Sequence, residues 1–138
     1  HRAAGPSLME ETRRQYPEGC PTGDAVVTSA GMLTAKHVFH AVGPVWRGGH
    51  RGEPELLQSA YRRCLELAQS HGCQSIAFPA LSTGAYGYPI DLAAEHSLTA
   101  IQQFLGSSAA ASTLSIRIVL FDGGAYAAFA RVLETMVE

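Results

Sequence analysis

Charged residues are scarce in this sequence: they occupy 16% of its 138 positions, whereas about 25% is usual for a soluble domain. The net charge of -2 leaves no broad basic surface, so nucleic acid is not expected as a general partner. No apolar run approaches the ~18 residues that cross a membrane, and no signal peptide is visible, so we expect no membrane partner.

Cysteine is also scarce, with only Cys20, Cys64 and Cys73 in the chain. An odd count without paired spacing argues against a disulfide framework and against a metal site. Cys64 and Cys73 lie in or beside apolar helical sequence, so we expect buried free thiols in a reducing, cytoplasmic compartment. We expect neither a metal nor a cofactor. The absence of an initiator methionine before His1 indicates a fragment or a processed chain.

The chain does contain alternating β-rich and helical segments, and its length and apolar content of 46% suit one domain over residues 1–138. Strands are predicted over residues 24–30, 37–42, 75–79 and 114–121, and helices over 7–16 and from about 53, 89 and 125 onward. The alternation predicts an α/β fold with a largely parallel sheet that is covered by helices on both faces.

Periodicity identifies the buried face of the helix that begins near Glu53. Its apolar residues recur at steps of three and four, which is the spacing of one helical face. They are Leu57, Tyr61, Cys64, Leu65 and Ala68. We expect this face to pack into the core of the domain.

Three glycine-bearing loops follow the predicted parallel strands, at residues 43–46, 82–87 and 122–124. In an open parallel α/β sheet, ligands bind outside the carboxyl ends of the strands. The three loops are therefore the expected borders of a ligand site.

The central loop lies in the stretch FPALSTGAYGYP, residues 78–89, which has no carboxylate, lysine, arginine or metal ligand. It runs into a helix start, whose free N–H groups and partial positive charge favour anions. Gly84 and Gly87 are expected to take positive φ and to let the backbone approach a ligand. Ser82 and Thr83 add hydroxyls, and Tyr86 and Tyr88 add flat apolar faces.

These features predict an anionic, polyhydroxylated ligand such as a diphosphate attached to sugar. A tight strand-to-helix connection without a ligand is the alternative. The loop is not a P-loop, because G-x-x-x-x-G-K-[ST] is absent, and it carries no G-x-G-x-x-G fingerprint. Ser82 lacks the G-x-S-x-G context of a hydrolase nucleophile.

Three stretches in order carry a family resemblance: GCPTGDAVVTSAGMLTAKHVFHAVGPVW, then SIAFPALSTGAYGYP, then IVLFD. Together they resemble the macrodomain family, specifically its MacroD-like hydrolase branch, over nearly the whole chain. The resemblance implies a three-layer α/β/α fold with a mixed, largely parallel central sheet. It also implies binding of ADP-ribose.

The resemblance assigns roles to particular loop residues. The loop that wraps the diphosphate with backbone N–H groups corresponds to Ser82, Thr83, Gly84, Ala85, Tyr86 and Gly87. Tyr86 is expected beside the distal ribose, and Phe121 and Asp122 near the adenine end. Capping of the last helix is an equal alternative for Asp122.

The resemblance further implies hydrolysis of mono-ADP-ribose from acidic side chains of modified proteins, or deacetylation of O-acetyl-ADP-ribose. His1 matches the histidine of a catalytic-loop motif and is a candidate catalytic residue; a solvated terminus is the alternative. The aspartate that precedes this histidine in the family, an asparagine-containing strand end and the first strands are not in this chain. A non-catalytic module that binds ADP-ribose is therefore the alternative function.

Other polar residues fit structural roles better than catalytic ones. His37 and His40 are three apart on a strand and therefore point to opposite faces, which disfavours a metal pair. Asp24 is expected in a turn. The segment WRGGHRGEP, residues 46–54, contains Arg47, His50 and Arg51 and is expected to form a mobile surface loop; contacts from its arginines to a substrate phosphate are a minority interpretation.

Overall fold

A computed structural model describes residues 4–136 of the chain. Four helices and four strands alternate along most of it. They are α1 Ser7–Gln15, β1 Ala25–Ser29, β2 His37–Ala41, α2 Glu53–Ser70, β3 Ser75–Phe78, α3 Ile90–Leu105, β4 Ser115–Ile118 and α4 Gly123–Met136, with a short 3-10 turn at Ala111–Thr113. Each expected element is present within a few residues of its predicted bounds.

The strands form two pairs of opposite type. β1 and β2 are antiparallel, with Ala25 opposite Ala41, whereas β3 and β4 are parallel, with Phe78 opposite Ile118. The parallel pair is connected through α3, which is the βαβ unit that the alternation predicts. The α/β fold class with mixed strand directions is confirmed.

The space between β2 and β3 interrupts the sheet. Within residues 4–136 the two strand pairs are separate sheets, and a cavity of about 930 Å³ lies between β2 and β3. The strands run in the same direction, because His37 at the start of β2 lies near His71, just ahead of β3, with ring centroids 5.1 Å apart. At their other ends Gly43 approaches Ser82 closely. The β2–α2–β3 unit is thus aligned as expected but is not directly paired.

Helix α2 connects the two strand pairs, since it contacts β1, β2 and β3 and packs along α3. The five residues of its predicted apolar face are all buried, as expected from their spacing. From α3, Leu98, Ile101 and Phe104 pack into the same core. Each large side chain that is buried in this way stabilises the fold by about 1.5–3 kcal/mol.

Among residues 4–136, no helix combines the length and the apolar character that crossing a membrane requires.

Candidate functional site

The loop between β3 and α3 begins where the parallel pair ends, with Val119 N–H donating to Phe78 O at 2.7 Å across the last step of the pair. Pro89 is the N-cap of α3, with φ -59° and ψ 131°, and Ile90 is the first helical residue. Asp91 lies in the first turn, where a carboxylate interacts favourably with the helix dipole. The loop therefore leads directly into a helix N-terminus, as the sequence predicts.

Two internal hydrogen bonds close the loop: Gly87 N–H donates to Gly84 O at 3.0 Å, and Tyr88 N–H donates to Ser82 O at 2.9 Å. Within the described part of the chain, the N–H groups of Gly84, Ala85 and Tyr86 donate to no protein acceptor. Consecutive backbone N–H groups without a protein acceptor, near a helix start, are an arrangement that can bind an anion.

The glycine prediction is partly wrong. Gly87 has positive φ, at 72°, but Gly84 does not, and the second left-handed position is Ser82 at 68°. A left-handed non-glycine residue is uncommon, and such strain is concentrated at ligand sites. The Ser82 Oγ is buried without a hydrogen-bond partner in the described chain. By contrast, Thr83 Oγ1–H donates to Ala80 O at 2.8 Å, so that hydroxyl is used inside the loop.

A close contact explains the glycine after β2. A Cβ atom added to Gly43 would overlap the Ser82 Oγ. Both residues follow strands that end at the same edge, so the first and second predicted loops meet at this point. The absence of a side chain at Gly43 therefore leaves room for Ser82 and the loop after β3. The sequence alone did not predict this contact.

The two tyrosines of the loop have different environments. Tyr86 is 44% exposed and is free to offer its ring to a ligand. Tyr88 is 2% exposed, packs against Trp46 with ring centroids 4.8 Å apart, and shares a 2.6 Å hydrogen bond with His96. Burial raises the pKa of the Tyr88 hydroxyl to about 12. The expectation that Tyr88 presents a face to a ligand is wrong, because its ring is part of the core.

The loop after β4 carries the other two predicted ligand residues. Phe121 is 93% exposed. The Asp122 carboxylate accepts the Ala125 N–H at 2.7 Å, so this side chain caps α4, as the alternative interpretation has it. This loop starts beside the loop after β3, since Phe78 and Ile118 are partners in the parallel pair.

Sequence reasoning missed two residues of α2 that hold the loops. The hydroxyl of Tyr61 donates to Pro79 O at 3.2 Å and accepts the Leu81 N–H at 3.1 Å. The Glu53 carboxylate accepts the N–H groups of Arg47, Gly49 and Arg51, at 2.9, 2.8 and 2.7 Å. The segment 46–52 is thus anchored rather than mobile. For Glu53, the only signal in the sequence was its position at the start of a predicted helix.

The remaining candidates lie apart from this site or take structural roles. The Asp24 carboxylate accepts the Ala25 N–H and pairs with Arg63, whose Nε lies 3.1 Å away. The bond from Ala25 is the largest cause that lowers the pKa of this carboxyl, followed by the bond from Arg63. His40 bonds Thr28 Oγ1 at 2.9 Å. His1 lies outside the described residues.

No group of three potential metal ligands forms within residues 4–136. All three cysteines are free, and only Cys64 is buried; Cys73 is half-buried, contrary to expectation. Burial is also the main cause that raises the pKa of the Cys64 thiol to about 12. This thiol therefore packs as a small apolar group.

Together, fold and loop define an α/β protein in which, among residues 4–136, the loop ahead of α3 leaves three consecutive backbone N–H groups without a protein acceptor. Residues 1–97 match the family model described as Macro domain. The chain belongs to the Macro domain family, which confirms the resemblance.

Individual relatives agree with this assignment. The chain is 44% identical over 138 residues to a Macro domain-containing protein of Caldanaerobacter subterraneus, covering 99% of this chain and 77% of that protein. It is 52% identical over 125 residues to a Citrobacter rodentium protein named O-acetyl-ADP-ribose deacetylase, covering 88% of this chain and 69% of the other. It spans only 55% to 63% of several further curated relatives.

A solved structure shows the same fold. A variant of the Oceanobacillus iheyensis macrodomain with ADPR superposes with a TM-score of 0.90 at 37% identity. The match covers 99% of this chain and 75% of that one.

Proposed function

We propose that this chain binds ADP-ribose, with the diphosphate on the backbone of residues 82–87. The observation that carries the proposal is the row of three N–H groups, at Gly84, Ala85 and Tyr86, that have no protein acceptor among residues 4–136 and lie shortly before Pro89, the N-cap of α3. These donors and the helix start attract an anion without any basic side chain. A relative solved with ADPR supports the same ligand.

The neighbouring side chains suit the rest of that ligand. The exposed ring of Tyr86 is proposed to pack beside the distal ribose, and the exposed ring of Phe121 beside the adenine. The Ser82 hydroxyl is buried against Gly43, with no hydrogen-bond partner among residues 4–136, so Ser82 is proposed to contribute through its backbone. The Thr83 hydroxyl completes the turn. Asp122 is proposed to border the adenine end while it caps α4.

In the complete protein we propose hydrolysis at the distal ribose. Water attacks the acetyl carbonyl of O-acetyl-ADP-ribose, the ester C–O bond breaks, and acetate and ADP-ribose leave. Release of mono-ADP-ribose from an acidic side chain of a modified protein is the related reaction. The deacetylase name of the Citrobacter rodentium relative supports this class, and His1 is the proposed catalytic residue in this chain. The diphosphate anchors the substrate, so that binding energy far from the reacting carbon holds it in place.

A non-catalytic ADP-ribose-binding module is the second candidate. Among residues 79–89 no side chain is a carboxylate or an imidazole, and the nearby Asp122 carboxylate is already used as a helix cap. Residues 79–89 and Asp122 therefore bring binding groups to this site but no free carboxylate or imidazole of their own.

The binding proposal is tested by titrating ADP-ribose into the protein in a calorimeter. Gly84→Val should abolish binding, because its side chain fills the ligand path, while the fold survives: a Cβ at this position meets no atom within 4 Å. Gly106→Val, at the exposed end of α3, is the matched control and should bind normally. Equal affinity of both variants would refute the site.

The catalytic proposal is tested separately by measuring release of acetate from O-acetyl-ADP-ribose. Turnover by the complete protein, and its loss in His1→Ala, supports the hydrolase. Binding without turnover by the complete protein supports the module instead.

We further propose that residues 1–138 are one N-terminally incomplete domain of a cytoplasmic protein. The open cavity between β2 and β3 supports an incomplete domain, and the three free thiols support a reducing compartment.

Extending the chain upstream should slow hydrogen exchange in β2 and β3 if the added residues complete the sheet. Cell fractionation tests the location.

A further inference from the structure

Two buried polar side chains of α2 hold the backbone around the ligand loop from opposite ends. Glu53 and Tyr61 are eight residues apart, slightly more than two helical turns, and both lie on the buried face of the helix with Leu57 between them. Their exposed fractions are 1% and 0%. Neither residue was singled out for chemistry by its sequence context.

Tyr61 holds the first part of the loop. Its ring packs against Phe78, the last residue of β3, with centroids 4.9 Å apart. Its hydroxyl then bridges Pro79 O and the Leu81 N–H. This bridge fixes the chain immediately before the left-handed Ser82. The path of the loop is therefore determined before the first predicted ligand residue.

Glu53 acts on the other end of the loop through segment 46–52. Three N–H groups of that segment converge on its carboxylate. This segment begins at Trp46. The backbone N–H of Trp46 donates to Tyr86 O at 2.8 Å, and its ring packs on Tyr88. The Glu53 carboxylate thus fixes segment 46–52, and Trp46 of that segment holds the loop at Tyr86 and Tyr88.

We propose that Glu53 and Tyr61 are positioning residues that set the backbone of residues 79–88 for the diphosphate, without touching it themselves. This role rests on the proposed binding of ADP-ribose. It extends the site to two residues of α2, which lie outside the three loops that follow the strands. Fixing the donors in advance favours binding, because the ligand then does not bear the cost of ordering the loop.

Hydrogen exchange in the ligand-free protein tests the positioning directly. Tyr61→Phe keeps the ring and removes the hydroxyl. It should speed exchange of the Gly87 and Tyr88 N–H groups by about tenfold, because the loop opens more often. Glu53→Gln keeps the side-chain length, replaces one acceptor oxygen with an NH2 group, and should have a similar effect. Leu65→Val, a buried change on the same helix, is the control for general destabilisation.

Calorimetry with ADP-ribose supplies the second measurement. Tyr61→Phe and Glu53→Gln should each weaken binding by about tenfold at a temperature where both variants are folded. Leu65→Val should bind as the unchanged protein does.

The outcomes separate the two proposals. If exchange at Gly87 and Tyr88 responds no more to Tyr61→Phe and Glu53→Gln than to Leu65→Val, the positioning role is wrong. If exchange responds but ADP-ribose binds neither the unchanged protein nor the variants, the positioning stands and the proposed function is wrong. A selective increase in exchange together with weaker binding supports both.

Discussion

The loops after β3 and β4 start side by side at one edge of the parallel pair, yet they are held in different ways. The loop after β3 is closed by its own hydrogen bonds and anchored on α2 through Tyr61. In the described part of the chain, the loop after β4 has one side-chain hydrogen bond, from the Ala125 N–H to the Asp122 carboxylate, and Phe121 beside it is 93% exposed.

This difference corresponds to the two ends of the proposed ligand. In the proposed complex the diphosphate would meet donors that are already fixed, whereas the adenine would meet the exposed Phe121 ring, which must be ordered on binding. Ordering an exposed side chain costs about 0.5–1.5 kcal/mol, so the second contact contributes less net affinity than the first. Four predictions test this comparison, beginning with the largest expected effect.

Gly43→Ala should destabilise the protein by about 1–3 kcal/mol, because the new Cβ overlaps the Ser82 Oγ under the fixed loop. Urea denaturation measures the free energy of unfolding. In a Ser82→Gly background most of this cost should disappear, since the overlapping atom is gone. An equal cost in both backgrounds would show that the contact is unimportant.

Acid should loosen the fixed loop through Glu53. Desolvation raises the pKa of this carboxyl, but its bonds to backbone N–H groups lower it by more, leaving it at about 2 rather than 4.5. The folded state therefore binds protons less readily, and the stability from this group is complete above about pH 4.5 and is lost as pH falls toward 2.

Glu53→Gln should lose this acid-dependent contribution. Free energies of unfolding at pH 7 and pH 3 provide the check, and the gap between the two proteins should be larger at pH 7. Parallel decreases in both proteins would contradict the assignment of this acid dependence to Glu53.

Phe121→Ala should weaken ADP-ribose binding by about tenfold if the ring stacks on adenine. Because the ring is 93% exposed, the free energy of unfolding should change by no more than about 0.5 kcal/mol. Calorimetry and denaturation measure the two quantities. Unchanged affinity would remove Phe121 from the site.

Asp122→Ala should cost about 1 kcal/mol of stability, through loss of the cap of α4. Asp122→Asn keeps an acceptor for the Ala125 N–H and should retain most of the stability. If both variants lose affinity for ADP-ribose equally, the carboxylate contacts the ligand as well. If Asp122→Asn binds normally, the residue acts as a cap alone.

Local patterns predicted the elements of this fold well. The spacing of Leu57, Tyr61 and Cys64 identified the buried face of α2, and Pro89 marked the start of α3. These signals depend on a few neighbouring residues, so they are visible in the sequence. The stretch around Gly84 indicated an anion site for the same reason: a strand, a glycine-bearing turn and a helix start are adjacent in the chain.

Contacts between distant parts of the chain were not predictable in this way. Ser82, rather than Gly84, takes the left-handed conformation, and it faces Gly43 across 39 positions of sequence. Tyr61 was expected only as a core residue, because nothing local shows that its hydroxyl meets Pro79. The separation of β2 from β3 likewise depends on which strands pair, which periodicity does not encode.

Trp46 gives the fixed loop an optical reporter. It is the only tryptophan in the chain; its indole ring lies 4.8 Å from the ring of Tyr88, and its backbone N–H donates to Tyr86 O. Its fluorescence therefore originates entirely from one side of the proposed diphosphate loop. A change in emission on adding ligand would report that loop in the unlabelled protein, without any engineered probe.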